Sequence, residues 1–302
     1  MSRDQESLSF EPLIIVGAAR SGTNILRDVL TALPGFATWP CDEINPVWHH
    51  GNLDWLDDEL PPERATPRVR AAIRRRFTGI ARRNDSRVVV EKTCATSLRV
   101  AFANRVLPEA RFVFLVRDGR DVVASAMERW TARLDLPYVL RKARFVPLSD
   151  LPHYGWRFLV NRWHQWRSGE KRLGVWGPRF TGMTEAAKTL SLAELCGLQW
   201  RRSVERSEED LAQIPEERVF RLRYEDFTRR PAELVVELLD HLGLEAPNEA
   251  VQAAVADVRP GSVGRWRRKL TPEQVESLGP VLGETLERLG YPPSTAQDEA
   301  GA

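Results

Sequence analysis

Arg20 stands inside a turn of small residues, Gly17-Ala18-Ala19-Arg20-Ser21-Gly22-Thr23-Asn24, between a short apolar run and a helical pattern. Backbone N–H groups at such a turn, with a helix dipole behind them, favour an anion. The Arg20 guanidinium adds two parallel donors that match a phosphate or sulfonate edge. The Gly-x4-Gly spacing is that of the ATP-binding phosphate loop, yet Thr23-Asn24 follow where that motif places Lys and then Ser or Thr. The lysine for the terminal phosphates and the hydroxyl for magnesium are therefore out of register. Taken alone, the turn is equally a tight strand-to-helix connection, which needs small residues for steric reasons.

A second cationic position follows the run Arg111-Phe-Val-Phe-Leu-Val116, where Arg117 sits at the strand end and Ser125 eight residues on, inside the next helix with Arg129. Arg120 and Asp121 open that helix and are expected as exposed structural charge. Lys92 ends another apolar run, and it is one of only five lysines among 44 basic residues. A compact ammonium can approach a single oxygen more closely than a guanidinium can. Candidate proton acceptors cluster at Asp42-Glu43 and His49-His50; adjacent histidines in an irregular segment are more often exposed or structural. The cysteines Cys41, Cys94 and Cys196 form no C-x-x-C or Cys/His cluster, so neither a disulfide framework nor a zinc site is expected.

The Arg20-Ser21-Gly22-Thr23 loop and the Arg117 to Ser125 segment together resemble the PAPS-dependent sulfotransferase superfamily (PAPS, 3′-phosphoadenosine-5′-phosphosulfate), most closely its tyrosylprotein and bacterial branches. The resemblance implies a P-loop-like, three-layer α/β fold. It places Arg20, Ser21, Gly22, Thr23 and Asn24 at the 5′-phosphosulfate, and Arg117, Ser125 and Arg129 at the 3′-phosphate. Asn24 replaces the family's usual Thr, and its amide can still donate. Arg223-Tyr224-Glu225-Asp226-Phe227 is similar to the family's Tyr-Glu-Asp segment, whose tyrosine lies near the adenine. Residues 259 to 267 are similar to its nucleotide-covering loop, carrying over Arg259, Gly261, Ser262, Gly264, Arg265 and Trp266, with Pro260 where the cytosolic branch has lysine.

Lys92, in Glu91-Lys92-Thr93, matches the lysine that compensates charge on the departing phosphate's bridging oxygen. The cytosolic branch's histidine is replaced by Cys94, a weak proton acceptor, whereas the tyrosylprotein branch uses a glutamate after the first helix. That comparison selects Glu43 as general base, with Asp42 and His49/His50 as alternatives. The activity implied is direct transfer of a sulfuryl group from PAPS to a hydroxyl or amine, with no metal. A small molecule, carbohydrate, lipid or peptide remains open as acceptor. Two other readings stand: a P-loop kinase or NTPase, opposed by the missing Lys-Ser/Thr pair, and an inactive nucleotide-binding protein, opposed by Lys92 and Glu43.

The elements that must position these groups follow from patterning. Leu13-Ile14-Ile15-Val16, Val88-Val89-Val90, Phe112 to Val116 and Arg218 to Arg223 read as strands. Helices are expected from Thr23, with Ile25, Leu26, Val29, Leu30 and Leu33 as its apolar face; from Thr96 to Leu107; and from Asp118 to Trp130. Capping-box spacing at Ser191 to Glu194 and Thr271 to Gln274, and Pro231, mark further helix starts. Strands alternating with helices predict a parallel sheet covered on both faces, one domain over residues 11–292. Residues 36–86 and 131–190 fit poorly; they are read as acceptor-binding or cap regions, or as irregular packing, and residues 293–302 as a disordered tail.

The 302 residues carry 44 basic and 42 acidic side chains, a net charge of +2, which excludes a polycation built to coat nucleic acid. The polar start and short apolar runs predict no leader and no membrane span, and a cytoplasmic protein.

Overall fold

Each buried β-branched run becomes a strand that ends where a polar or glycine-rich turn begins. The computed structural model of the chain describes residues 8–130, 148–150 and 176–292. From the N-terminal side these are β1 (Glu11–Val16), α1 (Thr23–Thr31), β2 (Phe36–Ala37), α2 (Asn45–Trp48), α3 (Pro67–Asn84), β3 (Val88–Lys92), α4 (Val100–Val106), β4 (Arg111–Val116) and α5 (Gly119–Trp130). After the first helix beyond residue 176, α6 (Met183–Thr189), come α7 (Leu192–Leu211), β5 (Val219–Arg223), α8 (Tyr224–Arg229), α9 (Pro231–His241), α10 (Asn248–Ala254), α11 (Trp266–Lys269) and α12 (Pro272–Arg288).

The five strands are parallel in the order β2-β3-β1-β4-β5. Alternate residues feed two cores. Ile14, Val16, Val89, Phe112 and Phe114 pack on the face that includes Phe77, Phe102 and Trp200; Leu13, Ile15, Val90, Val113 and Leu115 pack with Leu26, Leu30, Val235 and Leu238. The result is three layers, as the sequence predicts. The chain leaves β1 toward β2 and β3 but leaves β4 toward β5, so the connections diverge between β1 and β4. In such sheets ligands settle at the carboxyl ends of the strands flanking this switch point, and the turn at Gly17 and the residue Arg117 both lie there.

Three sequence expectations change. The stretch 36–86 contains an 18-residue helix, α3, with Thr66 capping the Val69 N–H and Pro67 at its first turn. Its apolar stripe, Val69, Ile73, Phe77 and Ile80, was hidden by seven interleaved arginines. The helix expected from Thr96 is instead a 3-10 turn over Cys94–Leu98 followed by α4. Arg99 breaks it with an extended φ of −150°, and Asp210 captures the Ala101 N–H at 2.8 Å. Ile25 is 39% exposed and does not join the apolar face of α1. Both capping boxes, at Ser191 and Thr271, form as expected. Most of 131–190, including Trp156, Trp163 and Trp166, and the tail 293–302 lie outside the described residues; Trp176 packs partly buried against the core.

Candidate active site

At the end of β1 the chain turns through two left-handed residues, Arg20 at φ 73° and Gly22 at φ 95°. A Cβ on Gly22 would lie 2.3 Å from the Tyr224 ring, so both conformation and space require glycine. The turn aims Arg20 across to α5, where its Nε donates to Ser125 Oγ at 2.9 Å. Burial, then the charges of Arg129 and Arg117, pull the Arg20 pKa below its ordinary value. The fold thus brings three guanidinium groups within electrostatic reach of one another, which is favourable when anions lie among them. Ser21 Oγ and Arg117 Nε are buried with no hydrogen-bond partner among the described residues. Thr23 is buried against Cys94 Sγ at 3.9 Å, while Asn24 is exposed on the first turn of α1.

Arg117 links two cationic poles, the β1 turn with Arg20 and the β4 end with Ser125 and Arg129. Its Nη1 donates to Arg20 O at 3.2 Å, Nη2 donates to Ser262 O, and the guanidinium lies 4.4 Å over the Tyr224 ring. Asp121 lies 3.6 Å from Arg117 Nη2. Tyr224, fully buried between Gly22 and Arg117, bonds Ser262 Oγ through its hydroxyl at 2.7 Å. Asp121, Ser125 and Arg129 share one face of α5 at four-residue spacing. Ser262, Gly264 and Trp266 are brought to this pole. Gly261 and Arg265 are exposed, and Arg259 turns its guanidinium to the carbonyls of Ala256 and Val258.

Arg120 and Asp121 correct the expectation of exposed charge: both are buried. Asp121 accepts from the N–H groups of Gly264 at 2.7 Å and Trp266 at 2.9 Å, folding the 259–267 loop onto α5. Arg120 pairs with Asp118 at 2.7 Å and lies 4.4 Å over the Trp266 ring.

The end of β3, next in the sheet to β1, carries Lys92. Its Nζ lies 3.3 Å from Glu43 Oε1, which also accepts the Cys94 N–H at 3.3 Å. Burial works against the Lys92 ammonium, but the facing Cys94 and Glu43 outweigh it and raise its pKa. Burial, helped by Glu43, pushes the Cys94 thiol up to about 12. The alternatives to Glu43 are engaged elsewhere: Asp42 is 47% exposed beside Arg27, His49 bonds Asp58 at 2.9 Å, and His50 bonds Asp150 at 2.8 Å.

A model of the sulfotransferase family matches residues 12–172 and 177–248, a span that includes the Arg20 loop, Glu43, Lys92, Arg117, Ser125 and Tyr224. The chain belongs to this sulfotransferase family. Among solved structures, the sulfotransferase domain from the curacin biosynthetic pathway superposes with a TM-score of 0.55 at 13% identity, covering 95% of this chain and 100% of that one. A Mycobacterium avium sulfotransferase gives 0.54 at 14% identity, over 95% and 79% of the two chains. A mouse sulfotransferase complexed with PAP gives 0.50 at 13% identity, over 94% and 86%. These likenesses establish the shared fold. No curated protein matches.

In this sulfotransferase, sequence reasoning missed the carboxylates behind the site. Glu225 accepts the Asp118 N–H at 3.0 Å and the Tyr291 hydroxyl at 2.9 Å, fixing the turn after β4 to the start of α8. Glu91, inside β3 and fully buried, is pushed up to about 7 by burial, with Thr93 and Trp48 close by as partial relief. Asp58, in an irregular loop, is held well below the usual carboxylate range: burial opposes this, and bonds from His49 and Asn45 with the charge of Arg99 prevail. Only the acidic pair Asp57-Asp58 beside Trp55 hinted at a role for that loop.

Proposed function

We propose that this chain transfers the sulfuryl group of PAPS directly to a hydroxyl or amine of an acceptor. The observation that carries the reading is the tie between two cationic poles from neighbouring strand ends, Arg20 bonded to Ser125 and Arg117 bonded to Arg20 O. Two poles suit an adenosine with an anionic group on each side of its ribose; a single polyphosphate would need only one. The residues fit such a nucleotide: Ser21 Oγ and Arg117 Nε are buried donors without partners among the described residues, and Gly22 leaves no side chain between the loop and Tyr224. The mouse relative complexed with PAP, the donor's product, supports the same ligand class.

Arg20, Ser21, Thr23 and Asn24 would hold the 5′ side, with Arg117, Ser125 and Arg129 at the 3′ side. Ser262, Gly264 and Trp266 would close over the nucleotide from the loop pinned by Asp121. PAPS supplies the activated sulfuryl group. With its pKa raised, Lys92 stays an ammonium at neutral pH, suited to stabilise negative charge growing on an oxygen and unsuited to accept a proton. The Cys94 thiol stays protonated. That leaves Glu43, a partly exposed carboxylate beside Lys92, to take the acceptor's proton.

A thermal-shift comparison of PAP with Mg-ATP tests this reading. PAP at a hundred times its Kd is expected to stabilise the fold by about 2.7 kcal/mol. Stabilisation by Mg-ATP alone would favour a kinase. PAP binding without release of labelled sulfate from PAPS, to water or to any acceptor class screened, would leave an inactive binding protein.

A further inference from the structure

Glu43 has no regular element to hold it. It precedes α2, a single turn of four residues with Pro46 in second position, and the backbone at Ile44 has φ −111° and ψ 33°. This backbone is tied to β3 by the Ile44 N–H, which donates to Thr93 Oγ1 at 3.0 Å. Further anchors are side chains reaching down to one buried carboxylate. Asp58 Oδ1 accepts from Asn45 Nδ2 at 2.9 Å and from Arg99 Nη1 at 3.3 Å, and lies 2.9 Å from His49 Nε2. Its Oδ2 accepts the Arg179 N–H at 2.8 Å, and its own N–H donates to Arg179 O at 2.7 Å. Arg99 closes the ring by donating to Asn45 Oδ1.

Four segments therefore meet on Asp58: the 54–58 loop, α2 with Asn45 at its start and His49 just past its end, the break before α4, and the chain at Arg179. Burying this much charge is expensive and gains little net stability over apolar packing, whereas it does fix one arrangement of irregular chain. Arg99, fully buried, is also the residue whose extended φ interrupts the helix expected from Thr96. The interruption turns the guanidinium inward to Asp58.

We infer that Asp58, acting through Asn45 and His49, is a positioning residue that sets Glu43 over Lys92 and Cys94. Asp58 touches neither reacting group. Its effect is to place the proton acceptor, and a displacement of about 1 Å at such a group costs on the order of a hundredfold in rate. This inference rests on the function proposed above.

The test uses Asn45→Ala and His49→Ala, each cutting one spoke, with His49→Gln as the conservative replacement that keeps an N–H donor. Three readouts are taken on the whole chain: PAP affinity by calorimetry, release of labelled sulfate from PAPS into water, and iodoacetamide alkylation of Cys94 followed by peptide mass spectrometry. Alkylation reports the position of Glu43 independently of activity, because Glu43 bonds the Cys94 N–H and lies over the buried Cys94. The expected result is unchanged PAP affinity, sulfate release lowered about tenfold or more in both alanine variants, faster Cys94 alkylation in both, and recovery of both in His49→Gln. Wild-type release and alkylation in the alanine variants would overturn the inference, and so would slower release without a change at Cys94. If the wild-type chain fails to bind PAP, the proposed function fails first, and the alkylation readout still decides whether the Asp58 cluster positions Glu43.

Discussion

The two sides of the β1 and β3 strand ends are built by different means. On the Arg20 side, two short segments, the left-handed turn after β1 and the β4 end with the first turns of α5, each carry their donors close together in sequence; the bonds of Arg20 to Ser125 and of Arg117 to Arg20 O join them, and Asp121 folds a third segment over them. On the Glu43 side, short irregular segments are held by a buried ionic cluster whose members come from residues 45 to 179. Regular elements present the donors of the first, whereas in the second side-chain bonds alone hold irregular chain in place. The first side is expected to tolerate loss of one side chain with its shape intact, whereas the second should lose geometry and stability together.

The largest expected effect is at the junction of the two. Lys92→Ala should lower sulfate release from PAPS by about a thousandfold, the scale of losing one charge-stabilising donor, while PAP affinity falls far less. Equal losses in both would make Lys92 a binding residue and blur the division between the two sides.

Asp58→Asn should cost about 3–5 kcal/mol in urea unfolding, because it removes the carboxylate bonded to the buried Arg99. A cost below about 1 kcal/mol would show that the cluster does not hold the Glu43 side. Since the Asp58 pKa lies below its ordinary value, its contribution is present above that ordinary value and is lost as pH falls through the folded-state pKa. The wild type should therefore lose this advantage over Asp58→Asn only in strong acid.

Glu91 runs the other way. Its folded-state pKa of about 7 exceeds its ordinary 4.5, so the unfolded chain gives up the proton first, and the fold loses about 3 kcal/mol from this group as pH rises from 4.5 to 7. Glu91→Gln should abolish that slope, leaving the variant more stable than wild type at pH 8 and close to it at pH 4. Parallel stability curves would mean that Glu91 is ionised and paired in the fold. A smaller effect belongs to Thr66→Ala, which removes the α3 cap and should cost about 1 kcal/mol without altering PAP affinity.

The same division explains what could be read from the sequence. Strand, glycine turn and helix follow one another directly at residues 13–31, and strand end, Arg117 and Ser125 do so at 111–125, so composition and spacing carry the signal. Arg120 and Asp121 misled because helix-start charges are usually solvated; only the approach of Gly264 and Trp266, about 140 residues away, buries them. Glu43 was reached through the family resemblance, whereas Asp58 showed only as one of an acidic pair, since its partners at 45, 49, 99 and 179 share no period. α3 was missed because seven arginines interleave the four residues of its apolar stripe, although Thr66-Pro67 and the 69, 73, 77, 80 spacing mark it.

The most direct measurement is calorimetry of PAP and of adenosine 5′-monophosphate against the wild type, Arg20→Ala and Arg117→Ala. Two poles on one nucleotide predict that each variant weakens PAP by roughly 10- to 100-fold, as loss of a charge-assisted bond does, and that only Arg20→Ala weakens the monophosphate. PAP binding undiminished in both variants would contradict a site shared between the β1 turn and the β4 strand end.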